Sequence, residues 1–300
     1  MSQLLKNPVV LLITVGVLVG FFFPLGKLAS EAGISSIAWA MIVSLGAVTI
    51  LLPWLIIKRR FSLPRGQTLR YAIFAGILSF VIPNLLLFSV IPYVGSGYTG
   101  LMFALSPVFT LFLAVLFKLK GPKLFGILGI VIGLIGAAIV TTTRGIGPSA
   151  ASNFWIILAL LIPIALACGN VYRTVAWPKK ASPDDLAFWS HVCAIVIFLI
   201  LLVLTHNLEK SYTLLTLSPW LTFCQALIAG ITFPIYFRLQ RYGGPVLLSQ
   251  VGYIAAAVGL IIATLFLNEQ YSLMTWIGAA IILVGIAATI KSQIKENNTK

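Results

Sequence analysis

The chain has 300 residues, of which 60% are hydrophobic and only 9% charged, and its formal net charge is +14. An average soluble domain carries roughly 25% charged residues, so this balance excludes one and predicts an all-α integral membrane protein. In a soluble chain the basic excess would suggest nucleic acid; here Lys and Arg lie in short links between apolar runs, where they mark topology, and no nucleic-acid partner is expected.

In chain order the apolar runs fall at 8–27, 35–57, 69–91, 97–117, 123–141, 153–175, 186–205, 218–238, 245–267 and 272–290. Each approaches the roughly 20 residues with which a helix crosses a hydrocarbon core, which predicts ten transmembrane helices. The first run follows Lys6 but is longer than the roughly 7 to 15 residues of a signal-peptide core, so it is read as a retained span. The longest links, 58–68, 142–152 and 206–217, leave no room for a catalytic module outside the bilayer. Cys168, Cys193 and Cys224 sit inside apolar runs without metal-like spacing and read as small buried hydrophobes; neither cofactor nor metal is expected.

Ten spans return both termini to one side. That side carries sixteen Lys and Arg residues, Lys58-Arg59-Arg60 and Lys179-Lys180 among them, and the other side three, Lys27, Arg144 and Lys210. The positive-inside rule then places both termini in the cytoplasm, with the inner cell membrane as the expected location.

A shift of 149 residues lays Leu116–Ala138 on Leu265–Ala287 with eight identities in 23 positions, including Gly129 on Gly278 and Gly136 on Gly285. The same shift carries every span onto a span and Tyr93-Val94-Gly95 onto Tyr242-Gly243-Gly244. Five spans per copy is an odd number, so the second copy enters the bilayer from the opposite side. The expected organisation is two inverted five-helix repeats, 1–145 and 146–300.

Three features together resemble the EamA family of the drug/metabolite transporter superfamily. They are the two five-helix repeats, the stretch Leu105-Ser106-Pro107-Val108-Phe109-Thr110, and Leu265-Phe266-Leu267-Asn268-Glu269 followed by a glycine-containing last span. The resemblance covers nearly the whole chain. It implies a ten-helix secondary carrier, often an exporter of amino acids or other small metabolites, with a central cavity between the repeats. Members often carry an acid at the end of both the fourth and ninth spans; here Lys120 stands at the first of these positions.

The inverted repeat points to transport without that resemblance, because two similar halves of opposite orientation can expose one site to each side in turn. Pro24, Pro83, Pro107, Pro163 and Pro234 each remove a backbone hydrogen bond within a span and are candidate kinks or gates, or simply shape the packing. Gly126, Gly129, Gly133 and Gly136 in the fifth span and Gly278 and Gly285 in the tenth are expected to allow close contact with neighbouring helices.

Polar residues within spans are costly in lipid, so they face a partner helix or a cavity. The candidate substrate-binding residues are Asn84, Ser106, Asn170, Arg173, Tyr236, Gln250 and Tyr253, with Gln250 and Tyr253 put foremost; for each Asn or Gln the alternative is an interhelical hydrogen bond. Arg173 lies one turn before Trp177 and close to Lys179-Lys180, which favours snorkelling to the headgroups over binding a carboxylate. His191 reads as a hydrogen-bonded core residue. Glu269, in the turn between the last two spans, is expected at the external surface as a structural or gating acid.

All six acids lie in links or at span ends, so a neutral or zwitterionic substrate fits better than a cation. The expected function is alternating-access export of small amphipathic metabolites, amino acids first, the partners being that substrate and the bilayer. An exchanger of phosphorylated or nucleotide-linked sugars would need several cavity cations where only Arg173 qualifies, and a non-transporting scaffold would show no flux. Paired carboxylates, a metal cluster or a nucleophile with its base are not evident, so no enzyme is expected. One chain holds both repeats, which makes a monomer sufficient and leaves a dimer open.

Overall fold

In hydrocarbon each backbone N–H and C=O has to be satisfied within its own segment, so long apolar runs have little choice but to become helices. The computed structural model describes residues 7–119, 124–144, 152–179 and 181–297, and among these every regular element is helical. The helices are α1 (Pro8–Glu31), α2 (Ser36–Ile57), α3 (Gln67–Val94), α4 (Ser96–Leu116), α5 (Leu124–Arg144), α6 (Asn153–Val175), α7 (Pro183–Leu204), α8 (Leu208–Leu217), α9 (Pro219–Ser249), α10 (Val251–Phe266) and α11 (Leu273–Asn297). Seven of them are long and apolar enough to span a membrane, and the other predicted runs hold shorter apolar stretches, Gly126–Gly136, Val251–Phe266 and Leu273–Gly285. The link 206–217 differs from expectation in containing α8, a short surface helix of which only Ser211 is buried.

Local chemistry sets the ends. Asn7, Ser35 and Ser182 cap α1, α2 and α7 by accepting from the amides of Val9, Ala38 and Asp185, and Pro8 and Pro183 occupy first helical positions, where no amide hydrogen is needed. At the other ends Arg59, Lys118, His206 and Asn268 adopt positive φ, and the next residue's amide reaches back to Leu55, Ala114, Leu202 and Ala263. These left-handed caps satisfy carbonyls the helix would leave open.

The interior is interrupted where proline predicts it in three cases. α1 breaks at Phe21 ahead of Pro24, α3 opens into a π-turn over Ile77–Val81 ahead of Pro83, and α4 breaks at Ala104-Leu105 ahead of Pro107. Pro163 and Pro234 instead lie in helices with no break at them. Two further breaks come from glycine: Gly95 (φ 89°, ψ 159°) opens α4, and Gly244 (φ 72°, ψ −177°) divides α9. These backbone angles are essentially open to glycine alone, and the two residues are partners under the 149-residue shift.

Packing repeats the same relation. α1 packs on α9 and α10 while α6 packs on α3 and α4; α2 packs on α9 while α7 packs on α3; α2 meets α7, α4 meets α10 and α5 meets α11. Exchanging the halves maps this set of contacts onto itself, as an internal repeat would. The α5–α11 contact is made backbone to backbone: a Cβ at Gly136 would lie 2.6 Å from the Gly278 carbonyl oxygen, and one at Gly285 2.6 Å from that of Gly129. The outward faces stay apolar, with Ile57, Phe112, Leu217 and Trp220 all exposed, which suits contact with lipid.

Candidate functional site

Where α4, α6 and α9 meet, with α1 and α10 closing the sides, a cavity of about 30 Å³ is lined by Ser106, Asn170, Tyr236 and Ser249 among apolar walls that include Phe103 and Leu166. That volume is room for about one water molecule, so the site is too small for a metabolite as it stands. The broken helices build it. Pro107 cannot bond the Phe103 carbonyl, Gly252 lies directly against that carbonyl, and the Ser106 hydroxyl donates across to the Ser249 carbonyl at 3.2 Å.

Behind Asn170 and Tyr236 stands Arg173, only 1% exposed. Its Nη2 donates to Asn170 Oδ1 at 2.8 Å, to the Tyr236 hydroxyl at 2.9 Å and to Gln240 Oε1 at 3.2 Å, while Nε reaches Gln240 Oε1 at 3.4 Å. The guanidinium carbon lies 5.0 Å from the Tyr236 ring centre, 5.8 Å from Phe237 and 5.9 Å from Phe80, within cation–π range. Gln240 Nε2 in turn donates to the Asn170 carbonyl and to the Thr174 hydroxyl, and Asn170 Nδ2 to Thr110 Oγ1 at 3.4 Å. Snorkelling to the headgroups is therefore overturned: the side chain turns inward because Asn170, Tyr236 and Gln240 supply acceptors there.

Four of the seven candidate binding residues, Ser106, Asn170, Arg173 and Tyr236, are thus brought together. The other three are placed elsewhere. Gln250 is fully buried, with neither amide atom hydrogen-bonded among the described residues, and is not part of the cavity wall. Tyr253, also fully buried, turns its hydroxyl toward α5, where a Cβ on Gly133 would lie 2.6 Å away. Asn84 is half-buried in α3, outside that wall, and its Nδ2 has no partner among the described residues. Foremost place therefore passes from Gln250 and Tyr253 to Asn170 and Tyr236. His191 is a core residue as expected, with Nδ1 3.2 Å from Ser44 Oγ and its ring stacked 3.9 Å from Phe80.

Gln240 was missed because it lies beyond the end of the eighth apolar run. Helical spacing could have found it: Tyr236 and Gln240 are four apart, as are Asn170 and Thr174, so each pair shares a face.

A second polar constellation lies at one end of the bundle. Glu269 was expected on the surface, yet it is 7% exposed. Its carboxylate accepts from Lys27 Nζ at 2.8 Å, the Ser96 amide at 3.0 Å, the Ser96 hydroxyl at 2.8 Å, the Gly97 amide at 3.3 Å and the Tyr271 hydroxyl. Burial alone would raise its pKa, but the bonds from Lys27, Tyr271 and Ser96 outweigh this and hold it at about 2. The acid is buried because it caps the α4 N-terminus, whose free amides and positive dipole end attract an anion. The partner of Ser96 under the repeat shift is Pro245, which has no amide hydrogen to offer; Lys120, the partner of Glu269, lies outside the described residues. At the opposite end Arg238 Nη2 meets both oxygens of Asp184 at 3.0 Å, and Trp54 Nε1 donates to Asp184 Oδ2 at 3.1 Å.

Comparison with known proteins gives concordant results. The EamA-like transporter family matches twice, over residues 6–142 and 153–291. An uncharacterized transporter of Clostridium kluyveri is 24% identical over 280 residues, covering 92% of this chain and 90% of its own. The uncharacterized inner membrane transporter YedA of Escherichia coli K12 is 27% identical over 245 residues, or 80% of this chain and 77% of its own. A WAT1-related protein of Arabidopsis thaliana is 24% identical over 296 residues, covering 91% and 84%. A crystal structure superposes with a TM-score of 0.62 at 12% identity, covering 91% of this chain and 96% of that one, a likeness of fold alone.

Proposed function

The chain belongs to the EamA-like transporter family, and from that premise we propose that it is an alternating-access secondary carrier that exports small amphipathic metabolites, amino acids first, through the cavity between α4, α6 and α9. In this reading ten spans form two inverted five-helix repeats, 1–145 and 146–300, with both termini in the cytoplasm. Support comes from the contact set that survives exchange of the halves, from the glycine breaks at Gly95 and Gly244, and from the basic bias of one side.

The observation that carries the proposal is the cavity itself. Ser106 from the first half meets Asn170, Tyr236 and Ser249 from the second, so polar groups converge at the seam of the halves on otherwise apolar walls. That combination suits a small molecule with one polar and one apolar end. Volume for one water means that loading requires the halves to move, and the breaks in α1, α3, α4 and α9 are where helix segments can pivot. Glu269 with Lys27, Ser96 and Tyr271 then acts as the closure on the external side.

Purified protein in liposomes should accelerate counterflow of labelled amino acids or related metabolites, and Asn170→Ala or Tyr236→Ala should cut the rate about tenfold or more, as loss of a group contacting substrate does. Absence of flux across a broad metabolite panel would overturn the reading.

A further inference from the structure

Among the described residues nothing charged balances the charge of Arg173. A guanidinium stays protonated in a protein, and this one is 1% exposed inside an apolar bundle. The acids at the same end are otherwise engaged: Asp184 is held by Arg238 and Trp54, and Asp185 Oδ2 accepts from the Ser182 hydroxyl at 2.6 Å. Glu269 is bound to Lys27 at the other end. Among the described residues Arg173 has only neutral acceptors, the faces of three aromatic rings and the negative end of the α6 dipole. As a structural device this is poor, since a buried ion costs several kcal/mol and a neutral or apolar side chain of similar size would hold the helices as well.

Its placement suggests a use. Two of its acceptors, Asn170 Oδ1 and the Tyr236 hydroxyl, belong to residues of the cavity wall, so the cation stands one side chain behind the cavity. Its bonds run through Nε and Nη2, leaving Nη1 without one among the described residues. Opposite lie Val19, Phe103, Leu166 and Leu248, apolar surfaces with no acid among them to receive an ammonium group.

We propose that the carrier selects its substrate by a carboxylate, which binds Arg173 together with the Tyr236 hydroxyl, while an apolar tail fills the wall around Phe103 and Leu166 and an amino group, when present, is tolerated without being recognised. This rests on the transport reading above and narrows it from amino acids to small apolar monocarboxylates. One cation matches one negative charge, so a carboxylate is favoured over a phosphate dianion. On entry the carboxylate takes over the donor bonds that Asn170 Oδ1 now receives from Arg173 Nη2 and Tyr236. An ion pair thereby replaces hydrogen bonds to a neutral acceptor in a low-dielectric site.

The test uses the full-length protein, thermal stability in detergent and counterflow in liposomes. The probes are L-phenylalanine, 3-phenylpropionate, L-phenylalaninamide and phenethylamine, together with a panel of other short monocarboxylates and their amides. At neutral pH the acids should stabilise the protein and compete for flux, 3-phenylpropionate within about threefold of phenylalanine, whereas amides and the amine should need about 30-fold more, the penalty for leaving a buried charge unpaired. Arg173→Gln should abolish the preference for acid over amide, and Arg173→Lys should keep part of it. Equal action of acids and amides, no stabilisation by any acid, or a folded Arg173→Gln protein that still prefers acids would each overturn the proposal. Should Arg173→Gln not fold, the acid–amide comparison on the unaltered protein decides. Flux without acid preference removes this inference and leaves transport standing; stabilisation by acids without flux does the reverse.

Discussion

At Glu269 an almost fully buried carboxylate stays ionised because it meets Lys27, two amides of the α4 N-terminus and two hydroxyls at once. Its folded-state pKa of about 2 lies below the ordinary 4.5. The stabilisation it contributes is therefore complete above about pH 4.5 and is lost as pH falls from there through about 2. Glu269→Gln should lower stability near neutral pH by on the order of 2 kcal/mol and flatten this acid limb. Unfolding in detergent as a function of pH reads both, and superimposable profiles for the two proteins would refute the assignment. Arg173 is likewise governed by partners distant in the chain. Trp177 and Lys179 are near it in sequence and suggested the interface; Tyr236 and Gln240, far away in sequence, draw it inside.

The helices themselves follow from apolar length, capping residues and proline, and these were legible. Less so were the breaks. Pro24, Pro83 and Pro107 interrupt their helices, while Pro163 and Pro234 do not, although all five remove the same backbone bond. Gly95 and Gly244 are sharper markers, since each takes angles closed to other residues and each begins the segment that enters the cavity region. Alanine at either position should cost about 1 to 3 kcal/mol from backbone strain. The melting temperature should fall in both variants, and in Gly244→Ala there is no neighbour within 4 Å to blame, so steric collision is not a competing cause. Unchanged melting in both would show that the breaks tolerate ordinary angles.

At the scale of the whole molecule, the contacts map onto themselves when the halves are exchanged, yet the two ends differ chemically. One carries Glu269 on the α4 amides, the other Arg238 on Asp184, with Pro245 in the place of Ser96. Symmetric packing with chemically different ends suits the proposed carrier, whose two open forms would then need different triggers. The orientation proposed for these ends is checked by labelling. In intact cells, in a background lacking the native cysteines, a cysteine replacing Lys210 should react with a membrane-impermeant maleimide and one replacing Ser62 only after permeabilisation. The reverse pattern would invert the topology and place Glu269 on the cytoplasmic side.

The sequence by itself determined that the chain is membrane-embedded and helical, that its spans recur after 149 residues, and that few polar residues lie within them. These properties are local or periodic: burial of apolar length and backbone self-satisfaction act within one segment, and a repeat is a comparison of the chain with itself. Only the tertiary structure decided which polar groups meet. Tyr253 turns toward Gly133 rather than the cavity, Gln240 joins Arg173, and Glu269 caps a helix that begins at Ser96 and holds Lys27, 242 residues away in the chain. Rotation of each helix about its axis selects such pairs, and in a span that is apolar all round that rotation is set by the neighbouring helices rather than by its own pattern.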